Sequence, residues 1–236
     1  MAIYVYTDEF IREPWENTVA YYPLTSTTTV NDMSSKQNNL TSNWTIQYWD
    51  YGDVDCCFID WHGMLYTGIT SITASSWITL NVRYRETNNP TWDCSTILAF
   101  NPYDPTTRWN RLNSMCRLNW AYSIWYWLIW FIDDWKSWWT YSYTSPVYTF
   151  TQNQRYNICY TYEWNSMKFY VNWVLEWTAT RTTQDNTLSY ISISRNVDVN
   201  SSIRWYLSKA IFESKARTSQ EISDYFNGTK SLYGIS

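Results

Sequence analysis

Glycine is scarce: the chain of 236 residues holds five, where an average usage of about 7% would supply roughly 16. Histidine is scarcer, with His62 alone. The five cysteines, at 56, 57, 94, 116 and 159, contain no CxxC pair. Zinc is disfavoured on both counts, because its sites are built from clustered thiolates and imidazoles. Cys56 and Cys57 alternate sides in a strand and the total is odd, so buried thiols are expected rather than a disulfide framework. Charge is sparse, 16% of residues, with 17 basic against 21 acidic side chains and a net charge of −4. That balance lacks the cationic footprint that phosphate neutralisation requires, and nucleic acid is excluded as a partner. Long apolar runs are missing as well. Ala121 to Ile132 is the longest, at about 12 residues against the roughly 20 of a membrane-spanning helix. Met1 to Phe10 reads MAIYVYTDEF, and Asp8 and Glu9 stand where a signal peptide would continue its apolar run.

Aromatic residues are abundant, at 20% with 18 tryptophans. This excludes disorder, and the length allows one full hydrophobic core. The expected organisation is an N-terminal arm over residues 1–15 and one domain over 16–236. The polar stretch Ser26 to Asn43 reads as a surface loop inside that domain, because the strand pattern resumes after it. Ile78, Leu80, Val82 and Tyr84 alternate with Thr79, Asn81, Arg83 and Arg85, the period-two pattern of a half-buried strand. Tyr156, Ile158, Tyr160 and Tyr162 repeat it against Arg155, Asn157, Cys159 and Thr161. Further strands are expected at Val19 to Leu24, Asp55 to Ile59, Thr96 to Asn101, Ala121 to Ile132, Thr140 to Phe150, Leu188 to Ser194 and Arg204 to Glu213. Many short strands argue an all-β sandwich or barrel. One helix is expected from Thr218 to Asn227. Thr218 and Glu221 form a capping box, Ile222, Tyr225 and Phe226 supply an apolar face, and Asn227-Gly228 a left-handed stop.

The segment MKFYVNWVLEWT, from Met167, frames Asn172-Trp173 as a two-residue hairpin turn. A type I′ turn needs positive φ at both central residues, which glycine accepts and tryptophan resists. Trp15, Trp61, Trp135 and the Trp138-Trp139 pair also stand beside turn residues.

With VAYYPLT from Val19, NDMSSKQNNL from Asn31, YVNWVLEW from Tyr170 and RWYLSKAIFESKARTSQEISDYFNGTKSLYG from Arg204, the chain resembles a laminin-G-like domain of the concanavalin A-like lectin and glucanase superfamily. The resemblance covers about Asn17 to Gly234. It implies a jelly-roll sandwich of two antiparallel sheets with one short C-terminal helix. The family's corresponding segments read YVNGVLEG and GYI, so tryptophans 173, 177 and 205 occupy family glycine positions. Two explanations stand. Translation that takes UGA as tryptophan, in a genome that reads it as glycine, would produce both the shortfall and the surplus. A truly tryptophan-rich protein would instead use its indoles as sugar platforms.

Catalysis is not expected. Glucanases of the family carry E-x-D-x-x-E on one strand, since a retaining mechanism needs two carboxyls about 5 Å apart, and no such run occurs. The aspartates of DYGDVD, Asp50 to Asp55, precede a strand and read as a solvated loop. His62 lacks a neighbouring nucleophile motif and reads as a turn residue beside Gly63. No metal or other cofactor is assigned; calcium, in a loop site, is the metal best suited to the oxygen ligands present. Ser208 stands where the family commonly has an acidic residue.

Binding is the expected activity. Aromatic faces stack on sugar CH groups while Asp and Asn hydrogen-bond the hydroxyls. Asn101, Tyr103 and Asp104 fall in one expected loop and Asp133 and Asp134 in another, with Tyr122, Tyr126, Tyr141 and Tyr143 as further aromatic surface or ordinary packing. The expected function is a non-catalytic recognition or adhesion module for a glycan or cell-surface ligand. The expected setting is a phage virion, as a tail-fibre or decoration part contacting other virion proteins, or an extracellular surface. A purely structural virion protein and a bacterial adhesin are the alternatives.

Overall fold

A computed structural model describes residues 17–24, 31–42, 47–50, 55–59, 65–73, 75–84, 95–100, 113–120, 127–133, 142–144, 148, 154–163, 166–180, 187–193 and 205–233. In chain order the strands are β1 (Thr18–Tyr22), β2 (Thr41–Ser42), β3 (Gln47–Asp50), β4 (Asp55–Ile59), β5 (Leu65–Thr73), β6 (Ser75–Tyr84), β7 (Ser95–Phe100) and β8 (Asn113–Trp120). They continue with β9 (Trp127–Asp133), β10 (Ser142–Thr144), β11 (Arg155–Glu163), β12 (Ser166–Val171), β13 (Val174–Thr180), β14 (Thr187–Ile193) and β15 (Trp205–Glu213). Helix α1 (Ser219–Thr229) and a 3₁₀ turn (Lys230–Tyr233) follow. Residues 1–15, expected as an arm, lie outside the described residues.

The strands form two antiparallel sheets of a jelly-roll-like β-sandwich. One has the order β13-β12-β11-β6-β15-β4-β3, and the other β10-β9-β8-β7-β14-β5-β2. In the first, β15 is central. β6 lies along one of its edges, while β4 and β1 share the other end to end, β4 against Trp205 to Leu207 and β1 against Ala210 to Glu213. Most expected strands are present. Of the strand expected at Ala121 to Ile132, the part from Trp127 is strand, and residues 121–126 lie outside the described residues.

The register sets Tyr21, Ile211, Thr79, Cys159 and Tyr170 in one row across five strands. Tyr21, Ile211, Cys159 and Tyr170 pack with Ile222 and Tyr225 of α1. The helix therefore covers this face, and burial of Ile222 contributes about 1.5–3 kcal/mol. The opposite face carries Ala20, Tyr22, Ala210 and Phe212, with the Tyr22 and Phe212 rings edge to face at 6.1 Å. Here the half-buried reading of β11 is corrected: Asn157, Cys159 and Thr161, its expected polar face, are buried. The helix replaces solvent over that row.

The start of α1 is as expected. Glu221 N–H donates to Thr218 Oγ1 at 3.2 Å, and Thr218 N–H donates to Glu221 Oε2 at 2.7 Å. These backbone and hydroxyl hydrogen bonds hold the Glu221 carboxyl below its ordinary range, with Lys215 and Arg217 adding to the effect. Thr218→Ala should cost about 1 kcal/mol. A chemical-denaturation midpoint indistinguishable from that of the parent would contradict the cap. The expected stop at Asn227-Gly228 is corrected: the helix runs on to Thr229 and into the 3₁₀ turn. Thr229 is buried, its Oγ1 donates to Tyr225 O at 2.8 Å, and Lys230 N–H bonds Phe226 O. These tertiary and backbone bonds outweigh the local stop signal.

Candidate functional site

Strand direction brings the ends of β7 and β9 to one end of the seven-stranded sheet. β7 ends at Phe100, directly opposite Asn113, where β8 begins. β8 runs back to Trp120, opposite Trp127, so β9 returns to the first end and finishes at Asp133, opposite Ser142 of β10. The ends of β7 and β9 thus lie at the same end of the sheet, separated by β8. Asn101, Tyr103 and Asp104 follow β7 in sequence and Asp134 follows β9; all four lie outside the described residues. Asp133 is the last residue of β9, and Tyr143 sits opposite Ile132. Tyr122, Tyr126 and Tyr141 lie outside the described residues, as does His62.

Two buried carboxylates, Asp32 and Glu213, are occupied by the fold. Asp32 is 7% exposed. Its Oδ1 accepts from Tyr21 N–H and Ser34 N–H, both at 2.8 Å, and its Oδ2 from Asn38 N–H at 2.8 Å and Ser34 Oγ at 2.6 Å. Four donors saturate the carboxylate, so its lone pairs are committed to the loop. Tyr22 OH donates to Asn38 O beside it; burial, with the Asp32 charge adding, pushes that phenol far above its ordinary value. Glu213 is paired with Arg217, whose Nε and Nη2 donate to Oε2 and Oε1 at 2.6 and 2.8 Å. Burial still pushes the Glu213 carboxyl up, against the pull of that guanidinium. Among the described residues no three His, Cys, Asp or Glu side chains converge as metal ligands.

Two arrangements escaped the sequence reading. Lys209 is 1% exposed, with Nζ 4.8 Å from the Tyr225 ring centroid and 5.3 Å from that of Tyr21. Burial lowers its pKa to about 7, and a negative charge on the Cys159 sulfur, on the neighbouring row, would act in the opposite direction. Lys209 shares the face of Ile211 on β15, and nothing local in the sequence shows that α1 covers it. Asn157 and Asn172 form the other pair. Asn172 Oδ1 accepts from Asn157 N–H at 2.9 Å, and Asn172 N–H donates to Asn157 O at 2.8 Å. Cys159 is a buried thiol whose Sγ donates to Asn157 Oδ1 at 3.0 Å.

No family model matches the chain, and no curated protein matches it. Solved structures do. The chain is similar to a structure of botulinum neurotoxin type C, a toxin that needs interaction with two ganglioside molecules to get into cells, with TM-score 0.63 and 14% identity over 92% of this chain and 51% of that one. It is similar to the binding domain of Paraclostridial Mosquitocidal Protein 1, with TM-score 0.66 and 14% identity over 93% and 55%. It is also similar to domain 4 of AbnA, an extracellular arabinanase of Geobacillus stearothermophilus solved with arabinotriose, with TM-score 0.57 and 12% identity over 89% and 98%. The chain spans about half the length of the first two. At these identities the likeness is one of fold: the chain shares the β-sandwich of these binding domains.

Proposed function

We propose that this chain is a laminin-G-like, non-catalytic recognition module that binds a glycan at the end of the seven-stranded sheet where β7 and β9 finish. The observation that carries the reading is the convergence of those two strand ends, since Asn101, Tyr103 and Asp104 follow one of them in sequence and Asp134 follows the other. Asn101, Asp104, Asp133 and Asp134 would bond sugar hydroxyls, and Tyr103 would stack on the ring. Saccharide- and ganglioside-binding proteins among the structural neighbours support the ligand class, and saturation of Asp32 and Glu213 by structural partners supports binding without catalysis. The setting we propose is a virion or another extracellular surface, where such a module meets glycans.

A glycan array probed with the whole chain tests this. The expected result is retention of a restricted set of saccharides, unchanged by EDTA. Tyr103→Ala with Asp104→Ala should weaken retention at least tenfold while leaving the unfolding midpoint in place. Retention of no saccharide by a folded chain that forms multimers would overturn the reading in favour of an assembly role.

A further inference from the structure

We infer that position 173 carries glycine in the protein as its source makes it, the codon there being UGA read as glycine. This goes beyond the proposed binding function and does not depend on it.

The turn between β12 and β13 consists of Asn172 and Trp173, with φ of 47° and 71°. Positive φ at both central positions is the type I′ geometry, which matches the twist of a two-residue hairpin. Its first position obeys the rule, since asparagine tolerates the left-handed region. The second position holds one of the bulkiest side chains where glycine is preferred, and a Cβ there clashes with its own backbone.

The turn is held in this type from both sides. Val171 and Val174 are paired across it, and Asn172 is hooked to Asn157 through both its side chain and its backbone N–H. Nor does burial offset the strain. Trp173 is 47% exposed, and Val174 and Leu175 beside it are 45% and 46% exposed. Leu24 makes the contrast, because its φ of 28° accompanies a side chain only 1% exposed. Five glycines against 18 tryptophans extend the same imbalance to the whole chain. UGA is the codon that can stand for either residue under different codes, so one cause covers both counts.

The test is the peptide Phe169 to Arg181, which trypsin releases after Lys168 and which contains positions 173 and 177. It is isolated from the protein purified from its source and sequenced by tandem mass spectrometry, alongside the coding DNA. The expected result is the glycine residue mass at 173 with a UGA codon. A tryptophan residue mass at 173, or a UGG codon, overturns the inference. The strain has its own readout in recombinant chains: Trp173→Gly should raise the unfolding midpoint by on the order of 3 °C. A lower midpoint for the glycine form would overturn the argument from the turn.

Discussion

Asp32→Ala should lower the unfolding midpoint by roughly 10 °C, from a loss of about 3–5 kcal/mol at about 2–4 °C per kcal/mol for a chain of this size. β1 is paired with β15 along one edge, and the loop from Asn31 to Leu40 covers the other. Tyr21 N–H donates to Asp32, Tyr21 O accepts from Met33 N–H at 2.8 Å, and Val19 O accepts from Asn38 Nδ2 at 2.8 Å. The carboxylate holds this cover in place by also taking the N–H groups of Ser34 and Asn38. Alanine leaves four donors without their acceptor and frees a strand edge, which is a template for aggregation. Asp32→Asn should fall between alanine and the parent, because its amide keeps one oxygen for two of the donors and presents hydrogens to the other two. Ser34→Ala removes one hydroxyl, which donates to Asp32 and accepts from Lys36 N–H, and should cost least. Differential scanning calorimetry of the three variants checks the order, and equal midpoints for Asp32→Ala and Ser34→Ala would show that the carboxylate does not organise the loop.

What the sequence could and could not reveal follows from how local each determinant is. β6 and β11 were legible because alternation is written into neighbouring residues, and the start of α1 because Thr218 and Glu221 meet within one turn. Burial of Asn157, Cys159 and Thr161 was not legible, since the helix over them comes some sixty residues later in the chain. The end of α1 was misread for the same reason: Asn227-Gly228 is a local stop signal, while the burial of Thr229 is a tertiary fact. Asp32 looks like any polar loop residue until β1 is seen to present Tyr21 N–H to it. At the proposed glycan end, the convergence of the β7 and β9 ends came only with strand order. The turn at Trp173 is the opposite case, where sequence and backbone agree on the geometry and the side chain alone is out of place.

Lys209→Met should raise stability at pH 7 by about 1–4 kcal/mol and abolish a pH dependence that the parent shows. The ammonium lies beneath α1 near the rings of Tyr21 and Tyr225, and taking it out of water disfavours its charged form. Burial therefore depresses the folded-state pKa from 10.5 to about 7. Between those values the unfolded chain binds a proton at this site that the native chain does not, so stability rises with pH. The slope should approach 1.4 kcal/mol per unit above pH 7, and the penalty is present in full below it. Tyr21, Tyr225 and Cys159 are titratable groups near Lys209; pH 6.5 to 8.5 stays below the ordinary range of the two phenols and ends at about that of a thiol, so the slope is read in the lower part of the window. Methionine keeps the length of the side chain and its contact with both rings while removing the charge. Urea midpoints for parent and variant should diverge most at low pH and approach each other at pH 8.5. Parallel curves would mean that Lys209 keeps its proton throughout, held by its surroundings rather than tolerated by them.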